Sequence, residues 1–375
     1  MTAWLWLAVA VVFAGISLLA VFRARTLPQF FLAVGATEFG HFFALLAVVF
    51  AVASAGHCIA AAVVLAISAV MFASPTARAL RAVGKIRTAF KQCLGAFPSQ
   101  PLIRFGALWR PGIFHNPPCE KHMIEGPGGE LGVDFYRATG SAPAPLVVLV
   151  HGGGWMAGDS RELAGWNRWL ARRGYAVAVV EYRLMPTGAW PSQREDVLAA
   201  VEYLRGNAAG FGVDRERVVF FGRSAGGQIA SAIAAAGEHP WLRGCVCLYS
   251  PFDMVFAYEH GSDDDMLRSR WLLRCHLGGR PEERMETFRD ASAYLTANKT
   301  APPFLLMHGT RDELVWVLQS RRFAQRLSEL GVPNALIELP WATHAFDFNM
   351  SGPGGQITAS CLDAFLRRVC GSNGG

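Results

Sequence analysis

The chain has 375 residues, a formal net charge of +6 and 52% apolar side chains, enough for a large core and more than one average domain needs, so an enzyme-sized domain plus a smaller unit is expected. No internal repeat, low-complexity block or nucleic-acid-binding motif accompanies the positive charge, which is concentrated in one short stretch, so nucleic acid is not an expected partner. Eight cysteines at positions 58, 93, 119, 245, 247, 275, 361 and 370 form no CxxC pair and no zinc spacing, which argues against a metal or disulfide framework and fits a reducing compartment.

The first elements are strongly apolar. Trp4 to Phe22 carries no charge, and from Phe39 to Ser74 the only residues that can be charged near neutral pH are His41 and His57. A hydrocarbon core of about 30 Å takes about 20 helical residues, so the first run fits one span and the second, about 54 Å as one helix, fits two spans folded back near Ser54 to His57. The expected spans are about 3–22, 38–55 and 58–74 within an anchor region at 1–75. A cleaved signal peptide is the alternative for the first run; "MTAWLW" has no Lys or Arg, and no small-x-small site precedes Arg23. Arg23 and Arg25 follow the first span and Arg78, Arg81, Lys85, Arg87 and Lys91 follow the last, so the positive-inside rule favours three spans and a cytoplasmic main domain.

Residues 76–120 come next, first the basic "TARALRAVGKIRTAFK" and then an arm rich in Pro, Gly and aromatics. The basic part reads either as a helix near an anionic leaflet or as a solvated linker. The arm reads as an irregular cover over the domain surface or the site mouth.

From 121 to 371 short β-rich runs at 131–137, 146–150, 175–182, 217–221, 244–249, 304–308 and 334–339 alternate with helical stretches at about 160–173, 192–207, 225–237, 316–330 and 355–370. Runs apolar on both faces suit central parallel strands covered by helices. The expected class is α/β, a doubly wound and mostly parallel sheet. A cap insertion is expected at about 252–302, because more than fifty residues separate two core strands there. Its "GSDDDM" lacks alternating ligand spacing and reads as a solvated loop rather than a metal site.

The chemistry begins at "VVFFGRSAGG". Gly222-Arg223-Ser224-Ala225-Gly226 follows a strand and opens a helix, the G-x-S-x-G elbow that holds a serine hydroxyl over the end of a sheet. A dinucleotide loop is the rival for such a turn, but G-x-G-x-x-G cannot be drawn through it. After another apolar strand stands His151-Gly152-Gly153-Gly154-Trp155, side-chain-free backbone suited to an oxyanion. The N–H groups of Gly152, Gly153 and Ala225 are the expected donors. A serine needs a base and the base needs an orienting acid. Asp312 and His344 supply them in Ser…Asp…His order, with Glu313, Asp347, Glu338 and His308 as rivals. Trp155 and Trp190, with Met254 and Phe256, are candidates for the substrate pocket.

"HGGGW", "GRSAGG", "HGTRDELV" and "THAFDF", in this order, resemble the α/β-hydrolase fold, specifically the hormone-sensitive-lipase-like and feruloyl-esterase-like carboxylesterases. "VEYRLMPTGAWPSQREDV" is similar to that group's Y-R-L…P…D-V segment. The resemblance favours Asp312 over Glu313 and His344 over the other histidines. It implies hydrolysis of a small-molecule or lipid ester through an acyl-enzyme, without metal or organic cofactor, and the resemblance to anchored prenylcysteine-methylesterase-like proteins adds lipophilic esters. Two departures stand out: Arg223 replaces a frequent acidic residue before the serine, and "TGAWPSQ" replaces an acidic, alanine-rich text. An amidase, an acyltransferase and a silent tethered binding protein remain alternatives, and the residues do not set the oligomeric state.

Overall fold

The structure is a computed structural model that describes residues 2–97, 99–110, 118–140 and 143–371. Four helices open the chain, α1 (Ala3–Leu18), α2 (Leu27–Glu38), α3 (Gly40–Ser54) and α4 (Ile59–Leu94), followed by the single turn α5 (Phe105–Leu108). Strands β1 (Glu120–Gly126), β2 (Gly129–Tyr136) and β3 (Ala144–Val150) lead to α6 (Gly165–Ala171), β4 (Ala176–Val180), α7 (Ser192–Gly206), α8 (Ala208–Phe211), β5 (Val213–Arg223), α9 (Ala225–Ala235) and β6 (Leu242–Leu248). Helices α10 (Met254–His260), α11 (Ser269–Leu277), α12 (Pro281–Asp290) and α13 (Ala293–Thr296) fill the interval before β7 (Phe304–Gly309), α14 (Leu318–Glu329), β8 (Asn334–Leu339) and α15 (Pro353–Cys370).

The strands form one eight-stranded mixed sheet in the order β1-β2-β4-β3-β5-β6-β7-β8. The pairs β1–β2 and β2–β4 are antiparallel and the rest parallel. All seven residues of β3 are buried, because successive side chains point to opposite faces and both are covered. Val148 and Val150 pack with α7, α9, α14 and the cap helices; Val147 and Leu149 pack with α4, α6 and α15 on the other face. β1 was not expected from the sequence: "EKHMIEG" is polar, and only Ile124 is buried.

The N-terminal region departs from the three expected spans. α1 has only 16 residues, and α2 and α3 meet at 83°; among the described residues one helix, α4, is long and apolar enough to cross a membrane, or up to two such segments if the bent pair is counted as one. A multi-pass anchor is therefore not supported, and the charge argument for a cytoplasmic domain, which rested on three spans, lapses with it. The bend sits where Gly40 meets α4, since a Cβ there would lie 2.3 Å from the Phe72 carbonyl oxygen.

The basic stretch is likewise no separate linker. α4 runs without a break from Ile59 past Pro75 to Leu94, and its second half buries Ala79, Ala82, Ile86, Phe90 and Leu94 against the sheet while Arg81, Lys85 and Lys91 face out. The polar side follows from the 3.6-residue period: the charges occupy one side of an amphipathic helix that belongs to the main core. In the arm that follows, residues 98 and 111–117 lie outside the described residues.

Candidate active site

The elbow's glycines are set by close approach. A Cβ on Gly222 would stand 2.4 Å from the Gly227 Cα, and one on Gly226 would stand 2.2 Å from the carbonyl oxygens of Val150 and His151. Ser224 itself adopts φ 50°, the strained conformation that functional turns often hold, with its N–H donating to the Leu248 carbonyl at 2.9 Å. The Oγ is thereby raised above the N-terminus of α9.

His344 follows β8 and Asp312 follows β7, so adjacent parallel strands deliver both to the same sheet end. The His344 Nε2 lies 3.0 Å from the Ser224 Oγ, and Nδ1 lies 2.7 Å from Asp312 Oδ2. A carboxylate only accepts, so Nδ1 carries the proton and Nε2 is left to accept from the hydroxyl. Burial works to raise the Asp312 carboxyl, but the imidazoles of His344 and His308 outweigh it and hold the group well below the usual carboxylate range. The other Asp312 oxygen accepts from the backbone N–H groups of Leu314 and Val315.

The rivals are otherwise engaged. Glu313 accepts from the Ala24 N–H, Glu338 pairs with Arg321, and Asp347 pairs with Arg223 at 2.6 Å. His308, the rival imidazole, lies 2.7 Å from the Ser320 hydroxyl and 3.2 Å from Asp312, a second partner for the acid. His151 stacks on Tyr182 at 4.2 Å.

Of the three expected oxyanion donors, the Gly152 N–H is taken: it donates to Glu162 Oε2 at 3.1 Å. This corrects the sequence assignment, which had no means of seeing a carboxylate ten residues on fold back over the loop. The N–H groups of Gly153 and Ala225 donate to no described residue, and Gly153 holds φ 104° with no room for a Cβ beside the Ala157 carbonyl.

Arg223 is fully buried behind the serine. Its guanidinium lies 4.5 Å from the Phe221 ring centroid and donates to Asp347, whose other oxygen accepts from the Tyr249 hydroxyl at 2.5 Å. The Tyr249 ring sits 4.3 Å from that of His344. Burial, then Asp347, pushes the Tyr249 phenol far up, so it serves as a hydrogen-bond donor and not as an acid.

A cavity of about 260 Å³ adjoins the site between α10, α11 and the loop carrying Asp312, lined by Trp155, Phe256, Leu272, Leu273, Leu314 and Trp316 among others. Trp155 is held by its indole N–H donating to Gln228 at 2.9 Å. Trp190 does not line it: its indole donates to Asp290, and it lies behind the buried His276, which stacks on Trp155. Met254 is fully buried in the core and likewise does not line it. In the "GSDDDM" loop Asp263 pairs with Arg274 and Asp265 accepts the N–H groups of Leu267 and Ser269.

A sheet of this order, with a serine, an imidazole and a carboxylate in contact at its end, agrees with the family model that the sequence matches, BD-FAE, over residues 133–327, just over half of the chain. The chain belongs to the BD-FAE family. The BD-FAE match includes Ser224 and Asp312 and stops short of His344. The chain is 32% identical over 244 residues to esterase LipC of Mycobacterium tuberculosis, covering 60% of this chain and 59% of that one. It is 27% identical to a probable isoprenylcysteine alpha-carbonyl methylesterase of Arabidopsis thaliana, with 62% and 52% covered. It spans between 54% and 61% of the length of three mycobacterial relatives. Among solved structures, the Pyrobaculum calidifontis esterase superposes with a TM-score of 0.60 at 22% identity, covering 69% of this chain and 88% of that one. A carboxyl esterase of Tuber melanosporum gives 0.58 at 24%, covering 76% and 98%. At these identities the structural likeness speaks for the α/β-hydrolase fold.

Proposed function

We propose that this BD-FAE member is a serine carboxylic-ester hydrolase. The observation that carries the reading is the unbroken line of contacts from Ser224 through His344 to Asp312, at 3.0 and 2.7 Å; that relatives are named esterases supports it. His344 takes the hydroxyl proton as Ser224 attacks the ester carbonyl, and Asp312 fixes the ring and balances the imidazolium. The N–H groups of Gly153 and Ala225 receive the oxyanion. The proton on Nε2 passes to the leaving alcohol; water, deprotonated by the same nitrogen, then releases the acid from the acyl-enzyme.

The substrate is an ester whose apolar part fits beside Trp155, Phe256 and Leu272. The N-terminal helices associate with lipid, a reading supported by the apolar exposed side chains of α1, α3 and the first half of α4. Hydrolysis of 4-nitrophenyl butyrate by the wild type and by Ser224→Ala tests the chemistry: the variant is expected to lose at least a factor of about 10³ in kcat, and equal turnover by both would end the assignment.

A further inference from the structure

The C-terminal end of α2 packs on the apolar helices, where Ala36 is buried against Phe43 and Phe72, whereas its first turns stand apart from them. α2 is set at 83° to α3, and its first turns expose Leu27, Phe31 and Leu32 at 43%, 65% and 48%. Just before it stand Arg23 and Arg25, both exposed. An apolar helical side flanked by arginines, bent across the direction of the apolar helix that follows, is the form of a helix lying in the plane of a bilayer surface, with cations at the depth of anionic headgroups.

The opposite side of α2 reaches the catalytic residues. Phe30 is buried and meets the His344 ring edge-on at 6.4 Å between centroids. With Ala24, Ala33 and Val34 it forms a small cluster against Met266 and Leu314, and Leu314 is also a wall of the ester cavity. One side chain thus separates α2 from the cavity.

The segment entering α2 also grips the loop of the acid on both sides of Asp312. Arg311 donates to the carbonyls of Leu19, Ala20 and Phe22 at the end of α1, and Arg78 of α4 donates to the Ala20 carbonyl as well. Arg23 donates to the Thr310 carbonyl, and Glu313 accepts from the Ala24 N–H.

We propose that α2 is an interfacial helix that seats the catalytic cleft on an anionic lipid surface and, through Phe30, backs the Leu314 wall of the ester cavity, so that the substrate is an ester with a long apolar chain drawn from the bilayer. This rests on the hydrolase and lipid-association readings above and adds the place of entry. The charge pattern selects lipid over a second copy of the chain as the occupant of this side.

The test uses the full chain with vesicles of phosphatidylcholine, with and without about 30% phosphatidylglycerol, comparing wild type with Phe31→Asp/Leu32→Asp, two exposed positions outside the catalytic machinery. Loss of two apolar contacts is expected to lower flotation with the anionic vesicles and hydrolysis of vesicle-borne 4-nitrophenyl palmitate about tenfold or more, with soluble 4-nitrophenyl acetate turnover within about twofold of wild type. Equal loss on both esters, or no loss on the vesicle-borne one, overturns the proposal. So does a variant that changes only from dimer to monomer. If the wild type hydrolyses neither ester, the hydrolase reading fails instead and flotation decides the role of α2: unchanged flotation of the variant refutes it.

Discussion

Asp312 shows how a single carboxylate is made to stay ionised where burial opposes it. Two imidazoles and two backbone N–H groups surround it, so in the proposed reaction protonation of Asp312 adds no second step to the acid limb of kcat/KM above about pH 4. A slope of two in the pH profile would contradict this. The sign for stability follows: a carboxyl held below its unfolded value of about 3.9 contributes stability above that pH, and the contribution is lost as pH falls through the depressed value. Asp312→Asn keeps the shape but leaves the amide able to donate to Nδ1, favouring the wrong tautomer; kcat is expected to fall by about 10⁴ with little change in KM. Asp347 carries a different burden. It is the partner of a fully buried Arg223 whose two terminal nitrogens find no partner among the described residues, so Asp347→Asn strands a buried cation and is expected to cost about 3–5 kcal/mol in denaturant unfolding. The sequence marked Arg223 as a departure and Asp347 as a rival acid; that the two answer each other across 124 positions appears only in three dimensions.

Among the elements, those that announced themselves were buried on both faces or opened on a constrained turn. β3, β5 and β7 are apolar throughout the sheet's centre, and the elbow's glycines are demanded by contacts with backbone. Gly226→Ala is accordingly expected to abolish soluble, folded protein, since the added carbon meets two carbonyl oxygens at 2.2 Å, and circular dichroism of the purified variant checks it. Elements set by tertiary contact left weaker marks. β1 is recruited by pairing with β2 through backbone hydrogen bonds that its polar side chains do not signal. α2 lies between two apolar runs and ends at a bend dictated by the approach of Gly40 to Phe72, which no local pattern encodes. The carboxylate of Glu162 on Gly152 is of the same kind, a loop contact without periodicity.

For the whole molecule, the N-terminal helices and the hydrolase sheet share one body. α4 carries apolar exposed residues in its first half and core residues in its second, and Glu38 at the end of α2 accepts from the Gly354 N–H at the start of α15. Composition separated anchor from enzyme at residue 75 because the charges begin there; the helix ignores that border because its buried stripe continues through it. Phe90→Ala, inside the basic stretch, is therefore expected to destabilise the hydrolase core by about 3–5 kcal/mol, measured as a lowered denaturant midpoint, whereas a free linker would tolerate it. What unites the molecule's proposed chemistry is a serine made nucleophilic by residues 88 and 120 positions away. Incubation of the full chain with a fluorophosphonate, followed by peptide mass analysis, tests this most directly: a single adduct on Ser224 that disappears in His344→Ala is the predicted result, and an unlabelled Ser224 in the folded wild type, or labelling undiminished without the imidazole, would contradict it.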